Sequence, residues 1–446
     1  MAVPSSILII GSGVFGLSTA HALAQRPEYN HTKITMIDRV AFPAPDAGSV
    51  DSSRLIRADY TDYAYGALAA EALKQWRGEF GDEGRYTESG FAVLVDKNGD
   101  ATGQEAADDM LDNMRKLGAT VGRREDGADI VLLKDQDDIK AALPGFTGTA
   151  ADSGYVNYTS GWAHAENGLR HMRRKVEALN RVIFKVAEVK RLIFEQHGDV
   201  QRVAGAEIVS GEKLIADQTI LAAGAWSGKY VDLRGIATAS GQPLAYMSIS
   251  DEEQERLLQN PALINPSNFM YIIQPRDNVL KVARHSFGWS NPQQIEHPER
   301  PGETISVSLP RTKHDDPDLN IPSEGEAACR SYLAQCMPEF KDRPWLHTRI
   351  CWYSDTPSGD WVVDHHPRYE GLLVATGDSG HAYKFLPVLG ERVVDVLEKH
   401  TRDDLGRQLM EKWQWPSKPA PLDYRWTDEW RGGPKGMVLD EELAKK

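Results

Sequence analysis

The chain has 446 residues, too many for one small domain, so we expect two lobes or a split domain. Its composition, 41% hydrophobic and 26% charged, is ordinary for a soluble globular protein, and no apolar run approaches the roughly 18 residues of a membrane span. The net charge of −14 argues against nucleic acid or an anionic membrane surface as a partner.

The cysteines and the chain ends suggest a compartment. Cys329, Cys336 and Cys351 are too few for a disulfide framework, and their spacing fits neither a zinc site nor another metal site. A strand that begins within about five residues leaves no room for a secretory signal. The Ala-Lys-Lys ending differs from a Ser-Lys-Leu address, so we expect a cytoplasmic monomer, with the peroxisome as the alternative.

The first chemical signal is Gly11-Ser-Gly13-Val-Phe-Gly16, directly after the apolar run 6–10. We predict a strand, a glycine turn, a helix over 17–25 and a second strand over 33–37. Glycines let the backbone approach a pyrophosphate at the helix N-terminus, and Asp38 is spaced to accept from a ribose hydroxyl. The pattern predicts a bound dinucleotide and leaves NAD and FAD both open.

The segment after the loop 39–51 carries Arg54 and Arg57, whose spacing predicts that both lie on one face of a helical turn. Further along the chain, hydrophobic periodicity predicts the following elements: a helix over 63–80, a strand over 86–95, polar helical material over 100–143 around a strand at 130–133, a helix over 163–180, a strand over 181–186, a hairpin of 189–194 with 204–209, and an apolar strand from 217 to a turn at 224.

The second half begins with a β-rich stretch over 237–310. We predict strands at 271–273, 279–285, 349–353, 361–364 and 372–376, with helices over 324–337 and 387–399. The polar tail beyond Thr401 is expected to wrap the surface. Nucleotide-binding segments at the start, middle and end are thus interrupted by two insertions, which is typical of FAD proteins.

Several motifs together resemble the sarcosine oxidase and amadoriase family of FAD-dependent amine oxidases, which includes pipecolate and saccharopine oxidases. The resemblance covers most of the chain and is carried by these residues: Gly11 to Gly16, Arg54 with Arg57, Leu221-Ala-Ala-Gly-Ala-Trp-Ser227, Arg349-Ile-Cys351-Trp-Tyr-Ser-Asp-Thr356 and Gly377-Asp-Ser-Gly-His-Ala-Tyr-Lys384.

The fold implied by this resemblance is α/β. It consists of a glutathione-reductase-like, Rossmann-type FAD domain and an α+β substrate domain with a mixed or antiparallel sheet. We expect the FAD domain over 1–85, 150–235 and 345–400, the substrate domain over 86–149 and 236–344, and a C-terminal tail over 401–446.

The activity implied by the resemblance is oxidation of the C–N bond of a secondary amine in an N-substituted or cyclic amino acid. The imine is hydrolysed, and oxygen yields hydrogen peroxide. The substrate type stays open among sarcosine, pipecolate, saccharopine and fructosyl amino acids. Asp51 to Arg54 and Tyr353 look like the sarcosine, pipecolate and saccharopine branch, whereas Ser306 to Arg311 and Trp430 to Pro434 look like the fungal one. The alternatives are a flavin dehydrogenase with another electron acceptor, an NAD-dependent oxidoreductase and a flavin-binding regulatory protein.

The resemblance also implies roles for single residues. Cys351 would be joined through sulfur to the flavin, the alternative being an ordinary buried cysteine. Arg57 and Lys384 would bind the substrate carboxylate, which suits a guanidinium fork, with Tyr271 in the pocket wall. Their alternative is a solvated or core position.

The resemblance also implies three catalytic candidates. Lys281 would face the flavin and assist the reaction with oxygen, and Arg54 would lie near the flavin. His285 lies four residues beyond Lys281, on the same face of the predicted strand, as a substrate-site or structural group. The full set expected at the cofactor is Gly11, Gly13, Val14, Phe15, Gly16, Asp38, Arg39, Ser53, Arg54, Val186, Ala223, Gly224, Trp226, Cys351, Asp378, Gly380, His381 and Lys384.

Overall fold

A computed structural model describes residues 3–97, 101–421 and 436–445. Within them, six strands form a sheet that joins the beginning, middle and end of the chain. In sheet order they are Val362–His365, Leu372–Thr376, Gln218–Leu221, Ser6–Ile10, Lys33–Asp38 and Val182–Val186. The pairs are parallel except the first, which is antiparallel. Parallel strands are covered on both faces, which explains the unbroken apolar run 7–10.

A second sheet of eight described strands lies in the other half of the molecule. In order they are His347–Asp355, Thr238–Ser248, Val279–Arg284, Met270–Arg276, Ala262–Asn265, Phe91–Val95, Ser153–Asn157 and Ile130–Leu133. Only Ala262–Asn265 with Phe91–Val95 is a parallel pair in this sheet, among the residues described. The α/β class and the mixed second sheet predicted from sequence are confirmed.

Smaller sheets and helices complete the described parts. The small sheets contain Val189–His197, Val200–Ile208 and Lys213–Ile215; Arg54–Ile56, Gly161–Ala163 and Tyr86–Thr87; and Pro292–Glu296 with Thr304–Ser308. The helices are Val14–Gln25, Tyr63–Trp76, Ala101–Lys116, Gln136–Ala142, Ala165–Ala178, Asp251–Leu257, Ser323–Cys336, Leu389–Glu398, Asp404–Lys412 and Leu439–Leu443. Among the described residues, no helix is both long and apolar enough to cross a membrane.

Three local predictions were wrong. Arg54 and Arg57 do not lie on a helical turn, because Arg54–Ile56 is a strand paired with Gly161–Ala163. The predicted strand 86–95 is two strands in different sheets, separated by Gly90 in the left-handed region at φ +81°. The helix predicted over 63–80 ends at Trp76, and a short 3₁₀ turn follows at Glu79–Gly81.

The tail does not simply cover the surface, which corrects the sequence-based expectation. Trp413 is 0% exposed, its ring lies 5.0 Å from that of Trp361, and its Nε1 donates to Tyr65 Oη at 3.0 Å. The motif 430–434 lies outside the described residues. The segment after Thr401 therefore supplies part of the core.

Replacing Trp413 tests this packing. Trp413→Ala should lower the free energy of unfolding by about 3–5 kcal/mol, because it deletes a large buried ring and leaves a cavity. Trp413→Phe keeps most of the contact area and should cost clearly less. Urea unfolding followed by circular dichroism measures both, and an unchanged midpoint for Trp413→Ala would place this tryptophan outside the core.

Candidate functional site

A cavity opens at the carboxyl ends of strands Ser6–Ile10 and Lys33–Asp38 of the six-stranded sheet. It encloses about 1110 Å³, counting its mouth. Its lining includes the following residues predicted for the cofactor: Gly11, Gly13, Val14, Phe15, Asp38, Arg39, Arg54, Ala223, Gly224, Trp226, Asp378 and Gly380. Ligands of open α/β sheets bind at this edge, so the cavity lies where the glycine motif predicted a dinucleotide.

The N-terminus of helix Val14–Gln25 faces this cavity and has no side-chain cap. Its first N–H groups and the positive end of its dipole are therefore available to a pyrophosphate. Gly16 does not line the cavity. A Cβ there would lie 1.9 Å from the carbonyl oxygen of Gly11, so this glycine allows the helix to approach the strand.

Polar side chains also line this cavity near the glycine turn. Asp38 Oδ2 accepts from the backbone N–H of Ser12 at 2.8 Å, which fixes the carboxylate beside the glycine turn. Arg39 pairs with Asp46 and lies over the ring of Trp226, with Cζ 4.5 Å from its centroid. The uncapped helix, the carboxylate and the glycine turn fit a dinucleotide such as FAD.

A second cavity of about 540 Å³ adjoins the first, and Arg54, Tyr353, Gly380 and Tyr383 line both. It brings together most residues predicted for the substrate. Its lining is Ser53, Arg54, Leu55, Arg57, Ile264, Tyr271, Ile273, His285, Tyr353, Gly380, His381, Tyr383 and Lys384. Residues that are far apart in the sequence therefore meet at one place beside the cofactor cavity.

Two cations of this second cavity form no salt bridge among the described residues. Arg57 is 8% exposed, and its Nη1 is buried without a hydrogen bond there. Lys384 is 5% exposed, and its Nζ donates to Tyr60 Oη and the His381 carbonyl oxygen, each at 2.8 Å. Burial and the nearby Arg57 charge lower the pKa of Lys384 well below its usual value.

Asp51 is the centre of a different charge cluster. Its carboxylate pairs with Arg54, and its Oδ2 accepts from Lys281 Nζ at 2.7 Å while Oδ1 accepts from Tyr246 Oη at 2.7 Å. Burial alone would raise the pKa of Asp51, but Lys281, Arg54 and Arg349 hold it well below its usual value. Burial lowers the pKa of Lys281 to about 8, although Asp51 opposes this shift.

Cys351 lies next to these cations. It is buried on strand His347–Asp355, and its Sγ lies 3.6 Å from Nη2 of Arg54. Burial raises the pKa of the other two thiols, Cys329 and Cys336, to about 12. Both of these belong to helix Ser323–Cys336, away from the two cavities.

Several predicted residues do not line the cavity expected of them. Lys281 and Cys351 line neither cavity in the described part of the chain, although both contact Arg54 or its partner Asp51. Val186 is 63% exposed, and Ala187 and Val189 line the cofactor cavity instead.

Ser53, His381 and Lys384, which were predicted for the cofactor, line the second cavity rather than the first. His285, predicted as a substrate-site or structural group, also lines the second cavity. His285 follows the end of strand Val279–Arg284, and its Nδ1 lies 3.4 Å from Tyr353 Oη. Lys281 points instead to Asp51, so the predicted sharing of one strand face does not bring these two side chains into one cavity.

Sequence reasoning missed other residues of the site. Asp51 belongs to the motif Asp51 to Arg54, but its role as a shared partner depends on contacts with strands 190 or more residues away. Tyr60 was not predicted as a site residue, although its hydroxyl group contacts both Lys384 and His381. The loop residues Ala44, Asp46, Ala47, Gly48 and Ser49 also line the cofactor cavity. The sequence signal for this charge cluster was Asp51, an acidic residue three positions before Arg54.

Comparison with known proteins agrees with this geometry. Residues 6–396 match the family described as FAD dependent oxidoreductase (DAO). The chain is 29% identical to the amino acid oxidase imqH of Aspergillus flavus, covering 93% of this chain and 98% of that protein. It is 27% identical to L-saccharopine oxidase of Schizosaccharomyces pombe, covering 94% and 95%.

A solved structure extends the comparison to the fold. The fructosamine oxidase amadoriase II of Aspergillus fumigatus, in complex with FSA, matches with a TM-score of 0.78 and 26% identity, covering 98% of this chain and 95% of that one. These relatives are oxidases, so the NAD-dependent alternative and another electron acceptor are not favoured. The chain belongs to the DAO family of FAD dependent oxidoreductases and is an enzyme of that class.

Proposed function

We propose that this protein uses FAD to oxidise the C–N bond of an N-substituted or cyclic α-amino acid, giving an imine, and that oxygen is reduced to hydrogen peroxide. The observation that carries the proposal is the pair Arg57 and Lys384. Both are buried beside the cofactor cavity, and neither has a carboxylate partner among the described residues.

The physical argument is that a buried charge without a partner is costly. The carboxylate of an amino acid would supply the missing partner and would be held by charge-assisted hydrogen bonds, which are stronger than neutral ones. It would also favour the protonated form of Lys384, whose pKa is lowered by burial and Arg57. The relatives named amino acid oxidase and L-saccharopine oxidase support an amino acid substrate.

The amine does not need a carboxylate base in this proposal. The lining residues described for the second cavity include no Asp or Glu. Nearby positive charges and burial disfavour an ammonium group, so the substrate amine loses its proton more readily than in water. When bound, FAD supplies the two-electron chemistry, while these residues bind the carboxylate and orient the amine.

We also propose that Cys351 carries the flavin through a covalent bond. Its Sγ lies 3.6 Å from Nη2 of Arg54, and Arg54 lines the cofactor cavity, so the thiol lies next to the space proposed for the flavin. Cys329 and Cys336 lack such a cationic neighbour in hydrogen-bond contact, and their raised pKa values disfavour the thiolate.

The proposed domain division follows the sheets with two adjustments. The six-stranded sheet draws on 1–85, 150–235 and 345–400. The strands Ser153–Asn157 and His347–Asp355 also fall inside these ranges, but they pair in the eight-stranded sheet. We therefore propose that both belong to the substrate domain. The cytoplasmic location and the monomeric state stay predictions.

Replacing Arg57 or Lys384 should weaken binding of an amino acid more than binding of its amide. We expect Arg57→Ala and Lys384→Ala each to lose about 2–5 kcal/mol of affinity for the amino acid, roughly 30-fold or more, and much less for its amide. Arg300→Ala, which removes a surface cation paired with Glu303, should change neither affinity. Flavin absorbance titrations measure both ligands, and parent-like binding of the acid by both cavity variants would place the carboxylate elsewhere.

Lys281→Met should slow the reaction of reduced flavin with oxygen much more than flavin reduction by substrate, since it removes a charge and keeps an apolar stem of similar length. In the parent, the pKa of Lys281 near 8 predicts that the oxygen reaction slows as pH rises through about 8, where the ammonium loses its proton. The variant should lack this step. Stopped-flow measurement of both half-reactions decides, and equal slowing of both would assign Lys281 to structure or substrate binding.

Asp51→Asn provides the matched test of that pH dependence. It removes the carboxylate that favours the charged lysine, so the alkaline step should move to lower pH. If the pH at which the oxygen reaction slows did not change, the titrating group would not be one that contacts Asp51.

Cys351→Ser should yield a folded protein whose flavin is released by acid precipitation. The parent pellet should stay yellow, because a thioether survives denaturation. Cys329→Ser and Cys336→Ser are the controls and should keep the yellow pellet. Flavin retained in the Cys351→Ser pellet would identify another anchor.

A further inference from the structure

The amino group of Lys384 is buried in surroundings that suit its uncharged form. Lys384 is 5% exposed, and its Nζ lies 2.8 Å from two neutral oxygens, the Tyr60 hydroxyl and the His381 carbonyl. An uncharged amine has two N–H donors and one lone pair, so it can donate to the carbonyl and share a hydrogen bond with a hydroxyl in either direction. An ammonium group would be buried there without a salt bridge among the described residues, which is costly.

The charged groups around Lys384 do not offset this cost. Burial and, after it, the charge of Arg57 lower the pKa of Lys384 well below its usual value. Acidic side chains on the adjoining elements have other partners: Asp51 pairs with Arg54 and Lys281, Asp62 with Lys412, and Glu71 with Arg392, while Asp378 accepts from the backbone N–H groups of Ser354 and Gly380. The other titratable groups of this region are Tyr60, Tyr65, Tyr383, His285 and His381.

A buried acid accompanies the other cation of the cavity, Arg57. Asp59 is 0% exposed and is in electrostatic contact with Arg57 without forming a salt bridge in the described chain. Its carboxylate accepts from the Tyr155 hydroxyl at 3.0 Å, from Asn157 Nδ2 at 3.0 Å and from the Ser160 hydroxyl at 3.1 Å. Burial raises the pKa of Asp59, whereas the Arg57 charge and these donors oppose the rise. Because three donors suit the ionised acid, the charges of Arg57 and Asp59 balance each other.

A bound carboxylate would change this balance. It would add one negative charge beside Arg57 and Lys384, and an opposite charge nearby favours the protonated form of an amine. One proton on Lys384 would restore the neutrality that Arg57 and Asp59 give the empty site. The ammonium group would then hold the carboxylate by a charge-assisted hydrogen bond.

We infer that Lys384 is uncharged in the empty enzyme, that it gains one proton when a carboxylate binds, and that an amino acid substrate supplies this proton from its own ammonium group. An N–H bond of the substrate ammonium breaks, its electron pair stays on the substrate nitrogen, and the proton bonds to the lone pair of Lys384 Nζ. The inference rests on the proposed carboxylate role of Arg57 and Lys384. It gives the proton of the substrate amine an acceptor in a cavity whose described lining includes no Asp or Glu.

Counting protons on the FAD-loaded enzyme tests the inference with two unreactive ligands. Calorimetric titration at about pH 8 in buffers of different ionisation enthalpy measures the protons taken up with each ligand. Methoxyacetate, a carboxylate without an amine, should bind with uptake of about one proton. The amino acid 2-aminoisobutyrate, which has no hydrogen on its α-carbon, should bind with uptake close to zero, because it brings the proton itself.

The possible failures separate this inference from the proposed function. Methoxyacetate that binds without proton uptake would overturn the inference and keep the carboxylate role. Uptake of a full proton with 2-aminoisobutyrate would show that its ammonium group keeps its own proton, which would also overturn the inference. Methoxyacetamide binding as tightly as methoxyacetate, or no binding of methoxyacetate, would overturn the carboxylate role and this inference with it.

Lys384→Arg assigns the proton to one side chain. A guanidinium group stays charged, so methoxyacetate should still bind this variant but with proton uptake close to zero. Binding of 2-aminoisobutyrate should weaken at least tenfold more than binding of methoxyacetate, because its proton has lost its acceptor. Lys281→Met, which removes the other buried lysine, is the matched control and should keep the parent proton uptake. Uptake that persists in Lys384→Arg, or that is lost in Lys281→Met, would assign the proton to another group.

Discussion

One buried carboxylate, that of Asp51, joins the parts of the site. It accepts from Lys281 and Tyr246 on adjacent strands of the eight-stranded sheet and pairs with Arg54, which lines both cavities. Removing one partner of such a buried pair leaves an uncompensated charge, which is far more damaging than losing a surface pair. The position of the loop before Arg54, and with it one wall of the cofactor cavity, depends on this carboxylate.

The two charge clusters of the site differ in their balance. Around Asp51, one carboxylate is shared by Lys281 and Arg54, so both of these cations have an acidic partner within the protein. Around Arg57, the buried Asp59 is in electrostatic contact but forms no salt bridge with it, and its carboxylate accepts hydrogen bonds from Tyr155, Asn157 and Ser160. Arg57 lies against two aromatic rings and Lys384 donates to neutral acceptors, so neither forms a salt bridge among the described residues and both can contact an anion. A site of this kind is organised before the ligand arrives, which reduces the cost of binding.

The sequence predicted the class of the fold and the first cavity well because both depend on local patterns. The glycine turn, its flanking strands and Asp38 are within 33 residues, and backbone geometry alone requires them to be close. The predicted helical conformation around Arg54 was wrong, because the strand Arg54–Ile56 forms only by pairing with Gly161–Ala163. The partnership of Asp51 with Lys281 and the burial of Trp413 likewise depend on contacts over long stretches of chain, which periodicity does not report.

The discontinuous order of the six-stranded sheet also affects how the protein is made. The glycine motif leaves the ribosome before its neighbouring strand Gln218–Leu221, which comes some two hundred residues later, and before Leu372–Thr376, which comes later still. Residues 378–383 of the cofactor cavity follow that last strand. The usual sequence of an N-terminal domain folding first during synthesis does not apply here. Both the closing of the cavity and the uptake of the dinucleotide must wait until residues 378–383 have been translated.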